Sequence, residues 1–157
     1  KNQKRNGLKV KQKHLVAHMK AAHIYAECST AQRAHVGCVI VKDNRIISIG
    51  YNGMPSGWSN ECEYEINEDG TINLKTKPEV LHAETNAIAQ LARTNGSGQG
   101  AVMFVTVAPC LECAKLIFQS GIKEVYYSES YRETAGIDFL NKAGVTVTHL
   151  NVKAPQI

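Results

Sequence analysis

Aromatic side chains are scarce in this sequence: one Trp, three Phe and six Tyr make up 6% of 157 residues. Proteins that hold single-stranded nucleic acid set aromatic platforms in a basic groove, so the scarcity argues against that class. No run approaches the ~18 consecutive apolar residues of a membrane span, and no apolar segment near the start has the form of a secretory signal. Four prolines and 12 glycines are too few for a collagen-like or low-complexity chain. Cysteines number five, Cys28, Cys38, Cys62, Cys110 and Cys113. An odd count without a secretory signal speaks against a disulfide framework and for a reducing, cytoplasmic compartment.

Acidic residues are missing from the first 13 positions, where Lys1, Lys4, Arg5, Lys9, Lys11 and Lys13 supply six of the 18 basic side chains. Positions 14–157 therefore hold the remaining 12 basic residues against all 14 acidic ones, a net of −2 within a chain of formal charge +4. The basicity belongs to a terminal arm, residues 1–13, of the kind that often stays loose. The rest, residues 14–157, is expected to form one mildly acidic domain, which again weighs against nucleic acid as a partner.

Hydrophobic periodicity predicts a helix over 14–28, with Leu15, Val16, Met19, Ala22 and Ala26 on one face. Two strands, 36–41 and 45–50, flank the turn pair Asp43-Asn44. Residues 51–81 read as one long polar loop with an acid-rich patch of Glu61, Glu63, Glu65, Glu68 and Asp69. Beyond it, helices over 83–92, 111–120 and 137–143 alternate with strands over 101–107, 123–128 and 145–150. That alternation is the mark of parallel strands joined by helical crossovers. The expected architecture is an α/β fold, a three-layer α/β/α sandwich around a mixed five-stranded sheet with an antiparallel opening hairpin.

Two short motifs carry chemistry, His82-Ala83-Glu84 and Pro109-Cys110-Leu111-Glu112-Cys113. Each opens a predicted helix. The Cys110–Cys113 spacing lets both sulfurs meet one ion at the opening turn, and His82 adds a third ligand. Three N/S ligands describe a catalytic zinc site, whose fourth position goes to water, whereas a structural site would want a fourth Cys or His. The positive ends of both helices are expected to favour the thiolate forms. Glu84 follows the His ligand by two residues, close enough to reach a water at the metal without binding the metal. Zinc lowers the pKa of water to roughly 7, and a carboxylate there can take the water proton and return it to a ring nitrogen and a leaving amine. The pair is the H-x-E…P-C-x-x-C pattern of zinc-dependent nucleobase deaminases. Cys38 falls in an apolar run and reads as core, while Cys28 and Cys62 have no paired spacing.

Further segments make the chain resemble the deoxycytidylate (dCMP) deaminases of the cytidine/deoxycytidylate deaminase superfamily. They are Ser29-Thr30 followed by Arg33, Val36-Gly37, Arg45-Ile46-Ile47, and Gly50-Tyr51-Asn52-Gly53-Met54-Pro55. The likeness continues through Cys113–Ile117, Gln119–Val125 and Ala143-Gly144-Val145. It covers about Ala26 to Leu150. The resemblance implies a hydrolase acting on a cyclic amidine C–N bond, converting dCMP to dUMP and ammonia with Zn²⁺ as cofactor. By that similarity the Ala83 N–H binds the base O2, a carbonyl near Ala108 accepts from the departing amine, and Asn52 bonds the sugar hydroxyl. Arg33 is the candidate for the phosphate and Tyr131 for the pocket wall. The family resemblance also implies dCTP activation, dTTP inhibition, Mg²⁺ accompanying the triphosphate, and a homo-oligomer, often a hexamer. Gly50, Tyr51, Asn52 and Gly53 match its regulatory segment, and the acid-rich patch is either a ligand of that Mg²⁺ or a solvated face.

Three rival readings are a bifunctional enzyme that also takes dCTP, a nucleic-acid editor of the same fold, and a zinc-stabilised binding module. The acidic domain disfavours the editor. Glu84 disfavours the module, because a structural site has no use for an acid beside the metal.

Overall fold

In the computed structural model, which describes residues 10–156, side-chain alternation along two central strands divides the core in two. On β1 (Gly37–Lys42), Cys38 and Ile40 face one layer of helices while Val39 and Val41 face another. On β5 (Val102–Val107), Met103 and Val105 join the first group and Phe104 the second. A period of two on a sheet covered on both faces produces this division. Each fully buried Ile or Phe contributes about 1.5–3 kcal/mol.

The five-stranded sheet has the order β2-β1-β5-β6-β7, with β2 (Arg45–Tyr51), β6 (Glu124–Glu129) and β7 (Thr146–His149). β1 pairs antiparallel with β2 and β5, whereas β5, β6 and β7 run parallel. Helix α1 (Gln12–Ala26) lies alone on one face through Met19 and Ala22. Helices α2 (Ala83–Ala92), α3 (Leu111–Gln119) and α4 (Ala135–Lys142) cover the other through Ala87, Leu91, Ile117 and Leu140. This is the expected three-layer sandwich. Among the described residues no helix is long and apolar enough to cross a membrane.

The β1–β2 turn is a two-residue type with Asp43 and Asn44 at φ 51° and 59°, and an extra residue in β2 shifts the register between Ile40 and Val41. Two expectations are corrected. Helix α1 begins at Gln12, so Lys13 belongs to it rather than to an arm; residues 1–9 of that arm lie outside the described residues.

The second correction concerns residues 51–81, which are not one loop. They contain a separate antiparallel hairpin, β3 (Glu63–Glu68) and β4 (Thr71–Thr76). Tyr64 and Ile66 on one strand, and Ile72 and Leu74 on the other, do alternate with polar residues, but the register puts the two pairs on opposite faces, so the hairpin has no single apolar face to bury. The hairpin instead follows from Asp69-Gly70, both at positive φ, with Glu68 paired to Thr71 across the turn.

Candidate active site

Both ligand-bearing motifs sit at helix N-termini beside the carboxyl ends of the parallel strands, where open α/β sheets place ligands. His82 is the N-cap of α2 and Cys110 the N-cap of α3, each in extended backbone. Their carbonyls accept the first turn's N–H groups, from Asn86 at 3.0 Å and Ala114 at 2.9 Å. Fixed at the cap, each side chain leaves its helix where the backbone turns in.

His82 Nδ1 lies 3.3 Å from Cys113 Sγ and 3.6 Å from Cys110 Sγ, and the three donor atoms all fall within 4.8 Å of one another. Nitrogen and sulfur bound to one tetrahedral zinc stand about 3.5 Å apart, given bond lengths of about 2.0 and 2.3 Å. The donors therefore fit zinc in kind and in spacing.

Their protonation supports the same fit. The Cys110 thiol is pulled down to about 3, first by its hydrogen bond with Cys113 and then by the one with His82. Cys113 moves the other way, pushed up by its hydrogen bond to Cys110, by burial and by the Glu84 charge. These opposite shifts come chiefly from the neighbouring side chains and from burial. Two adjacent thiolates repel, and a bound cation would neutralise both.

Glu84 is buried at 4% exposure on the second turn-position of α2. Burial raises its carboxyl above the usual range, opposed by hydrogen bonding with Cys113 and by the charge of His82. A carboxyl whose pKa is raised by burial is better matched to taking and returning protons than a free one.

The surrounding cleft measures about 420 Å³. It gathers His82, Ala83, Glu84, Cys110, Asn52, Ala108, Arg33 and Tyr131 from segments far apart in sequence. As the first residue of α2, Ala83 has an N–H that the helix does not use. Ala108 N donates to the Glu129 carbonyl at 2.8 Å, which fixes the strand end that presents its own carbonyl. Asn52 is more committed than a free sugar reader would be. Its Oδ1 accepts from Val36 N at 2.9 Å and its Nδ2 donates to the Ala34 carbonyl at 2.8 Å, leaving one lone pair and one hydrogen.

Of Gly50, Tyr51, Asn52 and Gly53, only Asn52 lines this cleft. Gly50 has a packing role: a Cβ there would stand 2.7 Å from Ala87 N and 3.1 Å from Ala87 Cβ, so α2 rests directly on β2. The Tyr51 side chain is 39% exposed, and Gly53 bridges to Leu81. The acid-rich patch spreads along the hairpin, and among the described residues its carboxylates form no metal-sized cluster.

Several lining residues were not legible in the sequence. Arg132 lines the cleft next to Tyr131, its guanidinium 6.0 Å from that ring's centre. Its signal was an Arg just past the carboxyl end of β6. Glu63 and Thr76 line it from the hairpin, and their signal was the Asp69-Gly70 turn.

Comparison with known proteins agrees with this geometry. Residues 11–129 match the family described as the cytidine and deoxycytidylate deaminase zinc-binding region. A deoxycytidylate deaminase of Enterobacteria phage T4 is 34% identical, over 86% of this chain and 89% of its own. A human deoxycytidylate deaminase is 38% identical, over 88% of this chain and 80% of its own. The crystal structure of a dCMP deaminase from the cyanophage S-TIM5, in complex with dCMP and dUMP, superposes with a TM-score of 0.82. It is 41% identical and covers 90% of this chain and 100% of that one. With a donor triad that fits zinc, a buried carboxylate beside it and relatives that align nearly end to end, the chain belongs to the cytidine and deoxycytidylate deaminase family.

Proposed function

We propose that this protein hydrolyses dCMP to dUMP and ammonia. The observation that carries the reading is a single cleft lined by Glu84, by His82 and Cys110 of the donor set, with Cys113 buried behind them, and by two arginines, Arg33 and Arg132. A neutral nucleoside offers nothing to two guanidinium groups, whereas a 5′-phosphate can engage each of them. The names of the phage and human relatives support the same substrate.

His82, Cys110 and Cys113 would hold the zinc, which when bound supplies a Lewis acid that brings water toward a pKa of about 7. The chain's own groups do the rest. The Ala83 N–H orients the cytosine through O2. Glu84 takes a proton from the water that attacks C4 and delivers it to ring N3. It then carries the remaining hydroxyl proton to the amine, which leaves as ammonia while the C4 carbonyl forms. The Ala108 carbonyl accepts from the departing amine. Asn52 uses its spare lone pair or hydrogen on the sugar hydroxyl, Tyr131 forms a wall, and Arg33 and Arg132 take the phosphate.

The reading extends to dCTP as activator and dTTP as inhibitor, each with Mg²⁺, acting on a homo-oligomer of hexameric form. Its support is the Gly50-Tyr51-Asn52-Gly53 resemblance alone. An ultraviolet deamination assay on cytidine, dCMP, dCTP and a short single-stranded DNA, with and without dCTP or dTTP plus Mg²⁺, tests all of it. Preferential turnover of dCMP supports the reading. Equal turnover of dCTP makes the enzyme bifunctional, and preference for DNA replaces the reading with nucleic-acid editing. Zinc binding with no turnover at all reduces the protein to a binding module.

A further inference from the structure

The β3–β4 hairpin contributes a wall of the cleft, and its base is joined to the loop that carries Arg33 by two different contacts. Glu63 and Thr76 face each other as a register pair where the hairpin leaves the fold. Glu63 Oε1 accepts the backbone N–H of Gln32 at 2.8 Å and of Arg33 at 3.2 Å, which pins the main chain. Thr76 Oγ1 accepts from Arg33 Nη1 at 3.1 Å, which aims the side chain. Thr30 Oγ1 adds a third tie by donating to the Asn60 carbonyl at 3.0 Å.

The charge arrangement separates this from an ordinary surface ion pair. Among the described residues no carboxylate lies within 4.0 Å of the Arg33 guanidinium, although Glu63 is bonded to the same residue's backbone. The head group is thus oriented by a neutral hydroxyl and its charge is left uncompensated. An arginine already paired to a carboxylate must surrender that partner before it can take a phosphate; this one need not. Glu63 carries a further oddity: its Oε2 is buried and has no hydrogen-bond partner.

We propose that Glu63 and Thr76 are positioning residues for substrate selection. They set Arg33 to receive the 5′-phosphate of a pyrimidine nucleoside monophosphate, so the hairpin is the element that makes the enzyme prefer a nucleotide over a nucleoside. This rests on the reading of Arg33 as a phosphate ligand.

The test uses the zinc-loaded full chain and follows the ratio of kcat/KM on dCMP to that on deoxycytidine. It compares wild type, Thr76→Val, Thr76→Ser, Arg33→Ala and the Thr76→Val/Arg33→Ala double variant. Thr76→Val is expected to lower the ratio roughly ten-fold through KM for dCMP, the scale of one hydrogen bond to a charged group. Thr76→Ser, which keeps the hydroxyl, should hold the wild-type ratio. In the Arg33→Ala background the valine should change the ratio by less than about two-fold, since nothing remains to aim. Should the valine crowd the hairpin, Thr76→Ala makes the same truncation without it. If Arg33→Ala collapses the ratio while Thr76→Val leaves it intact, the positioning role is wrong and the phosphate reading stands. An equal effect of the valine with and without Arg33, or loss of the ratio in the serine variant, overturns the positioning role too. If Arg33→Ala leaves the ratio unchanged, the phosphate reading beneath it fails.

Discussion

A Cβ on Gly136 would stand 2.9 Å from the carbonyl carbon and oxygen of Cys110, and nearer still to the carbonyl oxygen of Pro109. Helix α4 therefore touches the backbone of a metal-ligand loop with nothing between. Gly136→Ala gains about 1 kcal/mol of helix propensity but must push this loop aside, at a typical overpacking cost of about 1–3 kcal/mol. The expected outcome is a lower melting temperature together with weaker zinc retention, read by thermal unfolding and by metal content after mild chelation. Full retention of zinc in a destabilised variant would show that the contact supports the helix and not the site.

Glu84 is separated from the ligand role by position, so Glu84→Gln should keep both zinc and fold. Deamination should fall by about 10²–10⁴-fold, the range of general acid–base assistance. Steady-state rates beside metal analysis make the comparison. Near-normal turnover would remove Glu84 from the proton path.

Cys110 and Cys113 stand close enough to repel each other as two thiolates, and a bound zinc would neutralise both. Cys110→Ala should lose zinc and activity together, because two remaining donors make a poor site. Chelation of the wild-type protein should abolish deamination, with recovery on adding zinc. Activity that survived complete metal removal would contradict the site.

Arg132 emerged only from the folded arrangement, and its contribution can be read separately. Arg132→Ala should lower kcat/KM on dCMP by about 10–100-fold, the worth of one or two charged hydrogen bonds, and affect deoxycytidine much less. Equal losses on both substrates would place Arg132 in loop structure.

Far from the cleft, burial and a 2.6 Å hydrogen bond to Glu124 hold the Tyr126 hydroxyl well above its ordinary value, while its ring stacks on Phe104 at 5.0 Å. A raised folded-state value favours the protonated form in the native protein. The resulting stability is complete below the unfolded-state value near 10 and is lost as pH rises above it. Tyr126→Phe keeps the stack and should flatten the decline of stability between pH 9 and 11, followed by denaturant unfolding at about pH 9, 10 and 11. An unchanged slope would assign the decline to other groups.

The donor triad and Glu84 were legible in the sequence because each motif is local. Within the His-x-Glu and the Cys-x-x-Cys, each at the first turn of a helix, the cap and first turn set the relative placement, and the packing of α2 beside α3 brings the two motifs together. The sheet and its helices were legible for a similar reason: Cys38, Val39, Ile40 and Val41 alternate between two cores, and the later helices carry apolar stripes. The hairpin was not read although Asp69-Gly70, between Tyr64/Ile66 and Ile72/Leu74, was its signal; the register sets those two pairs on opposite faces, so no single apolar face marks it.

Sequence by itself thus named the residues of the proposed reaction centre, and tertiary structure decided what stands at the other end of the cleft. Arg33, Glu63, Thr76 and Arg132 come from three separate segments, and nothing in their spacing brings them together. Sheet order and the folding-back of the hairpin do that, through hydrogen bonds to the Glu63 and Thr76 side chains whose partners lie about 30 or more residues away. The same distinction holds for Gly50, which belongs to a motif by resemblance and, in the fold, is also the place where α2 rests on β2. A motif states which atoms a residue offers, while only packing fixes what those atoms face.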